Sequence, residues 1–221
     1  MTPPTSPTTP LPTNPRAVLF DMDGVLLHSG QLWHRVVNEV IADFGGSPVA
    51  YEAFMATFGQ GVAADMAQFY PGRSRPEVEA AMIRHFLTQL DAMQPMDGAA
   101  RVLDALAEQG IGRAVVTNTP TELAARMLTH FGLLERVQLL VGGGDAAEKP
   151  APDLVHLALA RLGLDPAEVL YVGDSWADAA ATRAAGVFML GLGTDEGDRR
   201  IDSLTELLGQ LRSAAPADSP L

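Results

Sequence analysis

Two aspartates stand one residue apart in "DMDG", Asp21 and Asp23, directly after a short apolar run. Side chains two apart on an extended segment point the same way, so both carboxylates face one site, where their repulsion must be offset by a cation. A hard divalent ion with oxygen ligands, most simply Mg²⁺, meets that need. The chain has no cysteine, so any metal must be held by oxygen or imidazole. A second unusual residue is Lys149 in "AAEKPAPD", the only lysine among 15 cationic side chains. A compact ammonium with three donors fits a crowded anionic pocket and can bridge a carboxylate and a phosphoryl oxygen, whereas the arginine fork demands a different geometry. Thr117 and Asn118 in "VVTN", and Asp174 and Asp178 in "GDSWAD", follow other apolar runs. Taken singly, each has a plainer reading as a turn former, strand residue, helix cap or surface charge. They acquire meaning only if the fold brings them together.

The elements that would do so alternate. Short apolar runs occur in "AVLFDMD", "IGRAVVTN", "RVQLLVGGG", "EVLYVGD" and "VFMLGLG". Amphipathic stretches separate the later ones. The first spans Asp97 to Gly110; another opens "TPTE", with Thr119 as cap, Pro120 in the first turn and Glu122 closing a capping box, and ends at Gly132. Two more are stopped by Gly163 and Gly186. This pattern predicts a Rossmann-like α/β core, a parallel sheet with helices on both faces. In such sheets ligands bind beyond the carboxyl ends of the strands, where all the residues above are placed.

Between Gln31 and Gln94 no strand is expected. Leu32, Trp33, Val36, Val37, Val40, Ile41 and Phe44 recur at helical spacing, Ser47-Pro48 starts another helix, and a last one opens with a Ser74–Glu77 capping box. This predicts an all-helical insertion over residues 29–95, with core segments at 16–28 and 96–212. Phe54, Met55, Phe58 and Met66 are expected to form the insertion's own core.

The chain carries 27 acidic against 15 basic residues, a net charge of -12, which argues against nucleic acid or an anionic membrane surface as partner. The absence of cysteine fits a reducing compartment, and the cytoplasm is expected. Residues 1–15 hold six prolines and, like residues 213–221, read as a disordered tail. "VGGGD" reads as a flexible turn, and "GTDEGDRR" as a solvated loop. His85, His130 and His156 form no ligand pair.

Taken together, "DMDGV", "VVTN", "EKPAPD" and "GDSWAD" resemble, in order, the four motifs of haloacid dehalogenase superfamily phosphohydrolases with a helical cap, the branch containing phosphoglycolate phosphatase and β-phosphoglucomutase. The resemblance spans about Arg16 to Leu211. It implies that Asp21 attacks phosphorus and that Asp23 protonates the leaving oxygen and then activates water. Thr117 and the Asn118 backbone would hold phosphoryl oxygens, with Gly24 in the same phosphate-binding set, and Lys149 would neutralise developing charge. Mg²⁺ would bind Asp21, the backbone carbonyl of Asp23 and Asp174, with Asp178 a ligand through water or a partner to Lys149. The implied partner is a small phosphorylated metabolite, and the protein a monomer or small homo-oligomer.

Asp23 separates this chain from the dehalogenases, which lack that acid. Two alternatives remain. A β-phosphoglucomutase-like enzyme loses ground because Trp33 stands where the mutase has a cap-proximal histidine. A noncatalytic phosphate-sensing module is disfavoured by the helical insertion. His28 stands where the family commonly has aspartate, and hinge packing is expected of it.

Overall fold

The computed structural model of the chain describes residues 11–60 and 62–214. The first apolar run forms β1 (Ala17–Phe20), followed by the two-residue strand β2 (Leu27–His28). Four helices come next: α1 (Gly30–Asp43), α2 (Tyr51–Met55), α3 (Val62–Phe69) and α4 (Arg75–Leu87). They form the helical cap. β3 (Gln94–Pro95) then pairs antiparallel with β2 and closes the excursion. The chain continues through α5 (Ala99–Glu108), β4 (Gly112–Pro120), α6 (Thr121–His130), β5 (Leu139–Gly143) and α7 (Asp153–Leu162). It ends with β6 (Val169–Gly173), α8 (Trp176–Ala185), β7 (Phe188–Leu192), β8 (Arg199–Ile201) and α9 (Glu206–Ala214).

The larger sheet is parallel throughout and has the order β5-β4-β1-β6-β7-β8. Its residues alternate between two apolar layers, as the period of two requires. Val18, Phe20, Val115, Leu170 and Val172 join α5, α6 and α9 on one face, while Leu19, Val116, Tyr171 and Met189 join α7 and α8 on the other. β1 lies at the centre, between β4 and β6, so its carboxyl end opens onto the loops that carry all four motifs.

Several local expectations change. Leu32, Val36, Val37, Phe54 and Phe86 of the cap belong to the same apolar cluster as Val18, Phe20 and Leu103, so the stripes there are continuous with the sheet's packing and not a separate core. Met55, expected inside, is exposed. The helix expected at Ser47-Pro48 begins at Tyr51, with Ala50 as its N-cap. The charged "GTDEGDRR" ends in a strand, since Arg199 to Ile201 pairs with β7 at the sheet edge and buries Ile201. Leu11 packs against the core, and Pro12 and Pro15 are buried, so the N-terminal segment is anchored from Leu11. α9 runs to Ala214, two residues into the expected C-terminal tail. The remainder of both expected tails, 1–10 and 215–221, lies outside the described residues. Among the described residues no helix is long and apolar enough to cross a membrane.

Candidate active site

Asp21 is the first residue past β1, and its N–H donates to Val172 O of β6 at 2.9 Å, so the neighbouring strand fixes its backbone. Oδ1 accepts from the Met22 N–H at 2.7 Å and pairs with Lys149 Nζ at 2.9 Å. The other oxygen, Oδ2, faces no donor among the described residues. Burial, then the charge of Asp178, pushes the Asp21 carboxyl well above the usual carboxylate range.

Lys149 is 2% exposed. Its Nζ reaches Asp178 Oδ1 at 2.6 Å, and Val116 O and the Tyr171 hydroxyl at 3.1 Å each, besides Asp21. Burial alone would lower its pKa, but Asp178 and Asp21 raise it above the ordinary lysine value, so the ammonium stays charged. Asp178 is fully buried and has both oxygens engaged: Oδ1 by Lys149 and Tyr171, Oδ2 by Ser175 as the capping box of α8. Burial works against its charge, yet Lys149 and these hydrogen bonds hold it below the usual range. Of the two roles expected for Asp178, its contacts match the partner to Lys149. Tyr171 read as a core residue in the sequence, yet its hydroxyl links lysine, carboxylate and strand.

Asp23 turns away from this acid cluster. Its Oδ1 accepts from Ser29 Oγ at 2.5 Å and Trp33 Nε1 at 2.8 Å, and its Oδ2 from Thr119 Oγ1 at 2.7 Å and Thr117 Oγ1 at 3.5 Å. Thr119 is therefore not the cap of α6, as the "TPTE" pattern suggested. It sits near the end of β4, and α6 starts at Thr121 with Pro120 as its N-cap and no side-chain cap. The register between β4 and β5 shifts between Val116 and Pro120, a bulge that releases Thr117, Asn118 and Thr119 from the ladder beside the site. Gly142 and Gly143 make room for it: a Cβ on Gly143 would lie 2.2 Å from Asn118 O. Gly142 and Gly143 of "VGGGD" are thus packing requirements within β5, while Gly144, with φ +95°, makes the turn expected at the strand end.

The Asn118 side chain is spent on the backbone of Lys149, donating to its carbonyl at 2.8 Å and accepting from its N–H at 2.8 Å, and it also donates to Gly59 O of the cap. Gly24 has φ +80° and does not line the cavity described below. A Cβ there would meet Asp174 Oδ2 at 1.9 Å, so glycine allows both the turn and the approach of Asp174. Gly24→Ala is expected to cost roughly 1–2 kcal/mol for the left-handed backbone alone. It should also displace Asp174, lowering the melting temperature and most of the turnover in a paired thermal-denaturation and activity measurement. Asp174 itself is pushed up to about 7 by burial and by the charge of Asp178. Ligand atoms of Asp21, Asp174 and Asp178 lie within 4.8 Å of one another.

The haloacid dehalogenase-like hydrolase family matches residues 15–186. The chain is 34% identical over 179 residues to a phosphoglycolate phosphatase of Xylella fastidiosa (strain 9a5c), covering 78% of each chain. The chain belongs to the haloacid dehalogenase-like hydrolase family. With phosphatase relatives of this kind, it is a phosphoric monoester hydrolase. Two solved structures share the fold of this hydrolase. One is CbbY of Rhodobacter sphaeroides in complex with phosphate, with TM-score 0.75 at 24% identity over 89% of this chain and 99% of that one. The other is a β-phosphoglucomutase of Clostridium difficile, with TM-score 0.77 at 15% identity over 90% and 98%.

The cap of the hydrolase sits over the strand ends and leaves a partly open cavity of about 70 Å³ between them. Asp21, Asp23, Thr117, Asn118, Lys149 and Asp174 line its floor, so the strand-end residues converge on one space. Phe54 and Phe58, expected only as packing, line its roof with Trp33. The seam is held by Glu148, whose carboxylate accepts from the Val62 N–H at 2.6 Å and pairs with Arg75 at 2.6 Å. His28 is exposed on the ribbon opposite Gln94, neither packed into the hinge nor lining the cavity.

Proposed function

We propose that this hydrolase is a Mg²⁺-dependent phosphatase that cleaves a small phosphorylated metabolite through an aspartyl-phosphate on Asp21. The observation that carries this reading is the pairing of two unlike aspartates in one cavity beneath the cap. Asp21 keeps one oxygen fixed by Met22 and Lys149 and the other turned to no donor among the described residues. Asp23 is held by hydroxyls and an indole N–H at the cap side of the same space.

Divalent metal fits the residues present. Donors are all oxygen, three carboxylates converge, and burial and mutual repulsion lift Asp21 and Asp174, which a hard dication would relieve. Asp21, Asp174 and the Asp23 backbone carbonyl would hold it, and Asp178 would support the site through Lys149. When bound, Mg²⁺ supplies positive charge that lets these carboxylates stay ionised and offsets charge on the phosphoryl group.

In the protein's own part of the mechanism, an Asp21 oxygen forms a bond to phosphorus as the ester oxygen leaves. Asp23 gives that oxygen its proton, then takes one from the incoming water, whose attack on phosphorus releases phosphate and restores Asp21. Lys149, fixed by Asp178 and Tyr171, neutralises charge on the phosphoryl oxygens, and Thr117 and the freed backbone of Asn118 orient them. Closure of the cap over bound substrate would keep other water out.

Asp23→Asn is expected to lower turnover of unactivated esters about 10²- to 10⁴-fold, the range of a positioned acid/base. The same variant tests the intermediate. Incubated with [³²P]acetyl phosphate, whose leaving group needs no proton, then quenched in acid, it should carry label on Asp21 that hydroxylamine removes. A chain that acquires no label, or label that resists hydroxylamine, contradicts the covalent reading.

A further inference from the structure

The two halves of the cavity differ in charge. On the floor, Lys149 is the only cation among the described residues lining it, and its ammonium is already paired with Asp21 and Asp178. Among the described residues, the roof has no cation. It consists of the apolar faces of Trp33, Phe54, Phe58 and Met82, together with Gln60 and Asp65. Arg75, the arginine at the cap seam, is taken up by Glu79 and Glu148 at 2.6 Å each. Asp65 Oδ1 accepts from Gln60 Nε2 at 2.8 Å, and Gln60 Nε2 also reaches Gln68 Oε1 at 3.0 Å. Asp65 Oδ2 has no partner among the described residues.

A leaving group with its own carboxylate would enter this roof with no cation to receive it and a carboxylate to repel it. One with an apolar body and a hydroxyl would find aromatic surface and a free acceptor. We infer that the hydrolase acts on compact monophosphate esters whose leaving group is uncharged and bears a hydroxyl, and that Asp65 determines this specificity by accepting from that hydroxyl and excluding a second anion. The inference rests on the phosphatase reading and narrows it. It sets this chain apart from relatives named for phosphoglycolate, whose leaving group carries a carboxylate. Size agrees: at ~15 Å³ of such volume per water, the cavity holds about five waters, room for a phosphoryl group and a short tail. Burial pushes the Asp65 carboxyl up to about 7, against the pull of Gln60 and with a further push from Glu148, so its charge acts against a second anion above that pH.

The test is a matched pair of esters, 2-hydroxyethyl phosphate and phosphoglycolate, which differ in carrying a hydroxymethyl or a carboxylate group. Measured well above pH 7, where Asp65 is ionised, wild-type kcat/KM should favour the hydroxyethyl ester by about tenfold or more, given the cost of apposed like charges. In Asp65→Asn, kcat/KM for phosphoglycolate should rise about fivefold or more and that for the hydroxyethyl ester should not, which collapses the preference. Equal or greater wild-type activity on phosphoglycolate overturns the inference, whether or not the variant folds. A folded Asp65→Asn that changes both esters by the same factor overturns the assignment to Asp65. Release of phosphate from neither ester, nor from any other small ester, is a failure of the phosphatase reading itself and removes this inference with it.

Discussion

Asp21→Asn is expected to abolish phosphate release, by on the order of 10⁴-fold or more as for other covalent nucleophiles, while leaving the fold at least as stable as wild type. The two halves of that expectation have separate causes. Turnover is lost because an amide oxygen is a poor nucleophile toward phosphorus and no neighbouring group can replace it: Asp23 is tied to Ser29, Trp33 and Thr119, and Asp178 to Lys149, Tyr171 and Ser175. Stability is kept because the carboxyl of Asp21 is raised by burial and by Asp178, so its ionised form is disfavoured in the folded chain despite Lys149. A group with a raised folded pKa costs stability once pH exceeds its unfolded value, and the neutral amide removes that cost near neutral pH. Lys149 retains Asp178 as counter-ion. A paired assay, with Mg²⁺, and thermal melt, without it, checks both halves, and a large fall in the metal-free melting temperature would show that Asp21 is structural.

Lys149→Arg should lose most activity, about 10²-fold or more, although the charge is preserved. The ammonium occupies a niche in which four oxygens, from Asp21, Asp178, Val116 and Tyr171, converge on one nitrogen at 2.6 to 3.1 Å. A guanidinium spreads its donors across a plane and needs more volume, so it cannot serve Asp21 and Asp178 together without moving β6 or α8. Lys149→Met provides the contrast. It leaves Asp178 buried without its counter-ion and should cost about 3–5 kcal/mol of stability as well as activity. Steady-state kinetics with circular-dichroism melts distinguishes them: the arginine variant is chiefly a catalytic loss, the methionine variant a loss of both. Full activity in Lys149→Arg would contradict the argument from the compact ammonium.

Sequence disclosed the floor of the site more fully than its roof, and the difference is physical. Asp21, Lys149 and Asp174 each sit just beyond a strand or in the loop that follows one, and Thr117 lies towards the end of β4, and a parallel sheet forces those ends together whatever the intervening helices do. The C-terminal ends of α7 and α8 were legible to the residue because Gly163 and Gly186 end them in the left-handed conformation. Thr119 was misassigned because "TPTE" is a sound local capping pattern, and what overrides it is the bulge between β4 and β5, which needs Gly142 and Gly143 from a different element. Tyr171 was hidden inside an apolar run whose alternation says only that it is buried. The contacts of Trp33, Phe58, Asp65 and Glu148 depend on how the cap lies over the sheet, and periodicity carries no information on that. β8 went unread since an edge strand of two arginines and one isoleucine has too little apolar content to stand out.

The most direct test of the central claim is phosphate release from a panel of small phosphate esters, measured for wild type and Asp21→Asn, each with Mg²⁺ and with EDTA. The account predicts turnover of at least one ester by wild type with Mg²⁺, and its loss both in EDTA and in Asp21→Asn. Turnover that survives EDTA, or that persists in Asp21→Asn, would contradict it.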